Sequence, residues 1–201
     1  KAWDRNGVKS ISSSPTLTAT LDTSGSAYDV ILSADGNTAF VADHVSGLQI
    51  IDVSNPASPS VTSTLDTYYA LGVTLSADGN TAFVADRGGG LRIMDVSNKA
   101  SPSITSTFSA SGSSYAVTLS ADGNIAFMAN STDMHIVDVS NSASPSLIKT
   151  YNNPGTAYGV TLSADGKTAF VANSYDGLDI IDVSDPANPT LAGNYDTSKF
   201  A

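Results

Sequence analysis

The chain has 201 residues and a formal net charge of −10, and its apolar fraction of 41% is enough for a sizeable core. An acidic surface repels phosphate backbones and anionic lipids, so we expect no nucleic-acid partner and no membrane insertion. The absence of cysteine excludes disulfides, thiolate metal sites and cysteine nucleophiles. Abundant Ser, Thr, Ala, Gly and Asn, with few Lys, Arg and Glu, favours an exported or cell-surface protein.

Two short motifs recur at a fixed spacing along the chain. The tetrapeptide SADG occurs four times, beginning at Ser33, Ser76, Ser120 and Ser163. The tripeptide DVS also occurs four times, beginning at Asp52, Asp95, Asp138 and Asp182. A period of 43 to 44 residues indicates a repeat architecture.

Each period predicts four short strands. In the first copy these are residues 27–32, 38–42, 48–53 and 61–65. The SADGN turn joins the first two, and two prolines in SNPASP mark a turn before the last, because proline does not fit inside a sheet. The last strand alternates polar and apolar residues, as a half-exposed edge strand should.

Four strands per period of this length form the blade of a β-propeller, so we predict an all-β fold of four-stranded antiparallel blades. We name the strands A to D from the axis to the rim. The complete copies are 23–66, 67–109, 110–152 and 153–196. Residues 1–22 and 197–201 resemble partial flanking copies, and residues 15–22 match the rim strand of a blade. This pattern predicts a segment of a longer array, or else a closed four-bladed ring with an extra strand or a chain with open sheet edges.

The segments GLQIIDVSNPASP and GLRIMDVSNKASP resemble the LVIVD repeat, and LSADGNTAFVAD resembles the YVTN repeat of surface-layer-type proteins. The resemblance covers about residues 15–201 and returns in register four times. It implies a β-propeller of an exported or surface-associated protein, generally without an assigned catalytic activity.

Two sets of aspartates are repeated without change. The first set, in the SADG turns, is Asp35, Asp78, Asp122 and Asp165. A Ca²⁺ loop is one interpretation, but a single carboxylate per loop is few for a calcium site, so we favour a turn cap. The second set, Asp52 and its equivalents in DVS, fits an Asx turn, because a catalytic group breaks the symmetry of its repeats whereas a structural group is repeated.

The loop after strand B varies between copies and is the predicted binding region. Its residues are Asp43, His44, Asp86, Arg87, Asn130 and Asn173, and the D–A connection adds Tyr68 and Tyr69. Both loops lie on one face of a propeller, where varied side chains on a repeated scaffold carry specificity. Tyr28, Tyr115 and Tyr158 begin strand A nearby. The alternative is ordinary loop variation, with the tyrosines packed between blades.

No metal or catalytic constellation stands out. His44 and His135 lie two repeats apart, without the partners of a zinc site. Asp29 is the one acidic residue of strand A, where the other copies carry Gly or Ala. We therefore expect no enzyme and no cofactor, but a scaffold that binds a protein or glycan in adhesion or assembly. The alternatives are a lactonase-like hydrolase with a channel-mouth site and a subunit that self-assembles through strand pairing.

Overall fold

The computed structural model describes residues 16–152, 155–174 and 176–197, and within them the chain is built almost entirely of antiparallel strands. Sixteen strands form four sheets, each made of four strands that follow one another in the chain. The first two sheets contain β1 (Asp29–Leu32), β2 (Thr38–Ala42), β3 (Leu48–Asp52), β4 (Ser60–Leu65), β5 (Ala70–Leu75), β6 (Thr81–Asp86), β7 (Gly90–Asp95) and β8 (Ser103–Phe108). The last two contain β9 (Ser114–Leu119), β10 (Ile125–Asn130), β11 (Asp133–Asp138), β12 (Ser146–Asn152), β13 (Ala157–Leu162), β14 (Thr168–Asn173), β15 (Gly177–Asp182) and β16 (Thr190–Tyr195). The predicted fold class of four antiparallel blades is confirmed.

The first turn of each blade is closed by backbone hydrogen bonds and capped by an aspartate side chain. In the first blade, the Gly36 N–H donates to the Ser33 carbonyl at 2.8 Å, and the Ser33 N–H donates to the Thr38 carbonyl at 2.8 Å. The Asp35 carboxylate accepts a hydrogen bond from the Asn37 N–H at 3.1 Å. Asp35 therefore caps the turn, as the sequence predicts.

Successive blades pack face to face through three apolar clusters. Phe40, Phe83 and Phe127 hold the same place in the first three blades, and each is nearly fully buried against the blade that follows. Phe40, for example, shares a cluster with Val84 and Met94 of the second blade. Burying such a side chain contributes roughly 1.5–3 kcal/mol, so the interfaces between blades form the core.

The first strands of the four sheets, β1, β5, β9 and β13, lie beside one another in chain order. Strand A is thus the innermost strand, and the exposed strand D lies at the rim. The inner strands approach closely, since a Cβ added at Gly72 would lie 2.9 Å from the Cα of Ala116. Asp29 joins the first two blades, because its carboxylate accepts a hydrogen bond from the Val73 N–H at 2.9 Å.

The outer side of the first blade differs from the equivalent side of the second. Val30 is 60% exposed, whereas its equivalent Val73 is 4% exposed. Leu21 packs near Val41 on this side. Residues 16–22 match a rim strand in sequence, but they form no strand. The predicted partial copies at residues 1–15 and 198–201 lie outside the described residues.

The outer side of the last blade is also open. Phe170, the equivalent of the fully buried Phe40, is only partly buried. The second and third strands of the two middle blades are almost continuously buried, whereas β14 and β15 of the last blade are not. No helix in the described ranges is long and apolar enough to cross a bilayer.

Candidate functional site

The two ends of the blades carry different loops. We call turn face the end that holds the SADG turns and the turns between third and fourth strands. We call loop face the opposite end, where second strands lead into third strands and one blade leads into the next. The loop face contains a cavity of about 420 Å³ where the inner strands begin. Its lining residues are Tyr28, His44, Leu71, Arg87, Tyr115 and Tyr158, and we call it the channel-mouth cavity.

One wall of the channel-mouth cavity is a continuous aromatic cluster. The His44 ring lies 5.3 Å from the Tyr28 ring and stacks on Tyr69 at 4.5 Å. Tyr68 meets Tyr69 edge to face at 4.6 Å, although neither Tyr68 nor Tyr69 lines the cavity itself. Tyr28 and Tyr68 are 63% and 60% exposed, so this wall presents aromatic surface to solvent.

The backbone fixes the position of His44. Its N–H donates to the Ala70 carbonyl at 2.9 Å, and the Ala70 N–H donates back to the His44 carbonyl at 3.1 Å. This pair ties the loop of the first blade to the inner strand of the second. His44 has a φ of 50°, in the left-handed region that favours glycine. The two hydrogen bonds hold this conformation and place the imidazole over Tyr69.

The opposite wall comes from the third and fourth blades. The rings of Tyr115 and Tyr158 lie 4.9 Å apart, and Tyr158 is 55% exposed. In the second blade the equivalent position is occupied by the buried Leu71. The predicted tyrosines therefore lie at the mouth of the channel, and Tyr28 and Tyr158 are largely exposed.

Arg87 is the cationic side chain between these walls. It follows β6, and its guanidinium carbon lies 5.9 Å from the centre of the Tyr69 ring, within reach of a cation–π contact. Its N–H donates to the Tyr69 carbonyl at 3.1 Å. Arg87 forms no ion pair with any described residue.

The structure places four of the predicted site residues below the surface. Each ends or directly follows a second strand and is at most 2% exposed, namely Asp43, Asp86, Asn130 and Asn173. In three blades this side chain pairs with a polar side chain of the third strand: Asp86 with Arg92, Asn130 with His135, and Asn173 with Asp179. These residues support the loops from within, while His44, Arg87, Tyr68 and Tyr69 are the predicted residues that reach solvent.

Asp86 shows what this support does. Its carboxylate accepts hydrogen bonds from the Tyr68 N–H at 3.0 Å and the Tyr69 N–H at 2.5 Å, in addition to the bond from Arg92. It therefore fixes the connection that carries the aromatic wall. In the first blade Gln49 replaces arginine and bonds to Ser46 and Thr64 instead, and neither oxygen of Asp43 has a hydrogen-bond partner among the described residues.

The third blade uses a neutral histidine in the same place. Asn130 Nδ2 lies 2.6 Å from His135 Nδ1, and His135 Nε2 lies 3.2 Å from the Asp133 carboxylate. A neutral imidazole with its proton on Nε2 satisfies both contacts, since Nδ1 then accepts and Nε2 donates. Burial lowers the pKa of His135, and the nearby Asp133 carboxylate opposes this only in part.

The turn face is repetitive and acidic. The Ser33 hydroxyl and the Asn37 N–H donate to Asp35 and lower the pKa of its carboxyl group. The equivalent donors Ser76 and Asn80 lower the pKa of Asp78, and the Ser54 side chain and N–H lower that of Asp52. Both repeated sets of aspartates thus make the structural hydrogen bonds expected of turn caps. Among the described residues, no group of three or more His, Cys, Asp or Glu side chains could hold a metal ion.

Sequence reasoning missed the pairing between the last residue of the second strand and the third residue of the third strand, which three of the blades share. A signal was available, because both positions are polar in every copy, with Asp and Gln, Asp and Arg, Asn and His, and Asn and Asp. It was hard to read because the residues of each pair are five or six positions apart on antiparallel strands.

The family described as LVIVD repeat matches the chain over residues 24–67, 72–109, 113–153 and 154–197. No curated protein is significantly similar in sequence.

Several solved structures resemble the chain. Hydrazine synthase of Kuenenia stuttgartiensis is 17% identical, with a TM-score of 0.72 over 85% of this chain and 49% of that one. The periplasmic gluconolactonase PpgL of Pseudomonas aeruginosa is 16% identical, with a TM-score of 0.71 over 85% of this chain and 57% of that one. The β-propeller domain of Cps50 (Swd1) from Myceliophteria thermophila is 14% identical, with a TM-score of 0.67 over 81% and 56%. The chain spans about half the length of these structures, and the likeness shows the fold alone.

Proposed function

The chain belongs to the LVIVD repeat family, and on that premise we propose that it is a non-catalytic scaffold of an exported or cell-surface protein. It binds a protein or glycan at the loop face, in adhesion or assembly. The observation that carries this proposal is the channel-mouth cavity. It combines tyrosines from three blades with His44 and Arg87, which occupy a position that varies between blades, while the aspartates of the turn face repeat unchanged.

The exposed tyrosines support a binding role. Tyr28 and Tyr158 are more than half exposed and lie on opposite walls of one cavity. Tyrosine offers a large, rigid surface with a polar end, and binding surfaces are enriched in it. Exposed aromatic groups that converge on a concavity are the usual mark of a binding site.

The test is binding to arrays of defined glycans and of purified extracellular proteins. A variant with Tyr28→Ala and Tyr158→Ala should lose the signal and keep the wild-type melting temperature. Tyr195→Ala is the matched control, since Tyr195 is 59% exposed but lies on the rim strand β16. Absence of binding on both arrays, or an equal loss in the control, would overturn the proposal.

The hydrolase alternative is tested with the same protein. One similar structure is named a gluconolactonase, so glucono-1,5-lactone is the natural probe. We expect no hydrolysis above the uncatalysed rate. Turnover that disappears in His44→Ala or Arg87→Ala would instead favour an enzyme with its site at the channel mouth.

Self-assembly is the second candidate, and the open outer sides of the end blades favour it. The last blade presents a nearly apolar surface that includes Phe170, Ala172 and Leu178, whose equivalents in the first blade are fully buried against the second. The first blade presents the exposed Val30 and Leu32. In an oligomer, the last-blade surface of one copy would pack against the first-blade surface of the next copy, head to tail, as successive blades pack within one chain.

This candidate predicts oligomers whose mass rises with concentration in light scattering. Phe170→Asp and Val30→Asp should each yield monomers, because each variant keeps only one of the two surfaces that a head-to-tail contact requires. Mixing the two variants should restore a one-to-one dimer through the two intact surfaces. A compact monomer of the wild-type chain at every concentration would contradict it.

A further inference from the structure

We infer that the channel-mouth cavity binds an acidic carbohydrate, with a sugar ring against the tyrosines and the carboxylate of a uronic acid on Arg87. This inference rests on the proposed binding function and names the class of ligand. It is carried by the charge of the cavity, by its shape and by the state of Arg87.

The charge of the lining is opposite to that of the protein. The chain carries 19 acidic and nine basic residues, yet no aspartate or glutamate lines the cavity, and Arg87 does. The aspartates with lowered pKa lie on the turn face, at the other end of the blades. Within the lining of the cavity, an anion therefore meets one cationic side chain and no carboxylate.

Arg87 is free to bind a carboxylate. Of the two arginines in the described residues, Arg92 is paired with Asp86, and Arg87 has no ion-pair partner there. Asp86 does not neutralise Arg87, since its oxygens accept from Arg92, Tyr68 and Tyr69. A guanidinium matches a carboxylate through two parallel hydrogen bonds. A single guanidinium balances the single negative charge of one carboxylate, whereas a phosphate dianion carries two negative charges.

The walls suit a sugar ring. Tyr28 and His44 form one side, and Tyr115 with Tyr158 forms the other. The apolar face of a pyranose packs on aromatic rings, while tyrosine hydroxyls can bond to the hydroxyls at its edge. A volume of about 420 Å³ lies within the range of ordinary small-ligand sites.

The site is partly organised before any ligand arrives. The imidazole of His44 is held over Tyr69 by two backbone hydrogen bonds to Ala70. The Tyr68 and Tyr69 backbone is held by the buried Asp86. Because these groups are already ordered, binding loses less conformational freedom.

The experiment measures the affinity of the whole chain for trigalacturonic acid, its methyl ester and a neutral galactose trisaccharide by titration calorimetry. The acid should bind at least about tenfold more tightly than the two neutral sugars, because a charge-assisted pair is added. The affinity for the acid should fall as the salt concentration rises from 50 to 200 mM, because salt screens the attraction between exposed charges.

Three variants locate the interaction. Arg87→Gln should weaken acid binding about tenfold or more and leave the neutral sugars unchanged. Tyr158→Ala should weaken all three sugars. Lys167→Asn is the control for net charge, because it removes a cation from the turn face and installs the residue that the other three copies carry there; it should leave binding unchanged. Melting temperatures confirm that each variant is folded.

The outcomes separate this inference from the proposed function. Equal affinity for acid and ester, insensitive to Arg87→Gln but reduced by Tyr158→Ala, overturns the acidic ligand and retains a glycan site. Equal weakening by Lys167→Asn and Arg87→Gln shows attraction by overall charge and also overturns it. If no sugar binds, the inference fails, while the protein array decides separately whether the loop face binds anything.

Discussion

The turn face and the loop face are built on the same sixteen strands, yet they follow opposite rules. On the turn face every blade carries the same aspartate, with the same serine hydroxyl donating to it at 2.5 to 2.6 Å. On the loop face the residue that follows the buried Asp or Asn is His44, Arg87, Ser131 or Ser174. The comparison teaches that the turn face closes hairpins one at a time, while the loop face combines four blades into one surface.

The two faces also differ in how deep their carboxylates lie. Asp78 on the turn face is exposed to water, whereas Asp86 on the loop face is fully buried beside Arg92. A hydrogen bond to an exposed carboxylate competes with water, but a buried carboxylate that loses its partner cannot be solvated. Variants at the loop face should therefore have larger effects on stability.

The largest expected effect is that of Asp86→Ala. It leaves Arg92 without its partner and frees the Tyr68 and Tyr69 backbone, so we expect a loss of about 3 to 5 kcal/mol in the free energy of unfolding. Denaturant unfolding measures this. Asn130→Ala at the equivalent position removes a neutral pair and should cost less, about 1 to 3 kcal/mol. Equal losses in both variants would show that the charge of the pair is unimportant.

The glycines allow a matched comparison between the faces. Gly90 and Gly79 both have positive φ, 78° and 70°. A Cβ at Gly90 would lie 2.2 Å from the Phe108 carbonyl oxygen, whereas a Cβ at Gly79 meets nothing within 4 Å. Gly90→Ala should cost about 2 to 4 kcal/mol through strain and overpacking, and Gly79→Ala about 1 kcal/mol through strain alone. Thermal unfolding of the two variants decides whether crowding or backbone conformation governs these positions.

The faces should lose stability in different pH ranges. Burial lowers the pKa of His135 in the folded state below its ordinary value of 6.5, so the unfolded state binds more protons and stability falls as pH drops below about 6.5. Asn130, Asp133 and the edge of Phe108 face this imidazole. In His135→Gln, which has the residue of the first blade, this part of the pH dependence should disappear. An unchanged pH profile between 4 and 6.5 would contradict the neutral imidazole.

The smallest effect is expected for Asp78→Ala on the turn face. Hydrogen bonds from Ser76 and Asn80 lower the pKa of Asp78, so its contribution is present above the ordinary value of 3.8 and is lost as pH falls through the lowered pKa. The variant should melt slightly below the wild type at neutral pH and show a weaker acid dependence. Sugar binding at the channel mouth should not change, and a change there would couple the two faces.

The repeat made most of the fold predictable. Period, strand order within a blade and the capping role of Asp35 and Asp52 follow from local sequence, because a hairpin turn is decided by residues only a few positions apart. The ends were less predictable. Residues 16–22 match a rim strand in sequence but form no strand, because a strand is defined by its hydrogen bonds to a neighbouring strand as well as by its own residues.

The sequence predicted which loops form the candidate site, but it did not predict which residues of those loops are exposed and which are buried. Sequence variation pointed to the loops after the second strands, and the cavity lies there with His44 and Arg87 in its lining. The same variation made Asp43, Asp86, Asn130 and Asn173 equally plausible ligand contacts, yet all four are buried. Neighbouring residues on a strand point to opposite sides of the sheet, and only the packing of the blades decides which side meets solvent.

The sequence alone thus determined the blades, because turn chemistry and apolar alternation act over short distances. Tertiary structure decided which varied residues face the cavity and which support it from below. It also decided that the His44 ring stacks on Tyr69 of the next copy while Tyr115 and Tyr158 form a second wall. The physical reason is that these groups belong to different blades, and their distances depend on how successive sheets pack around the axis.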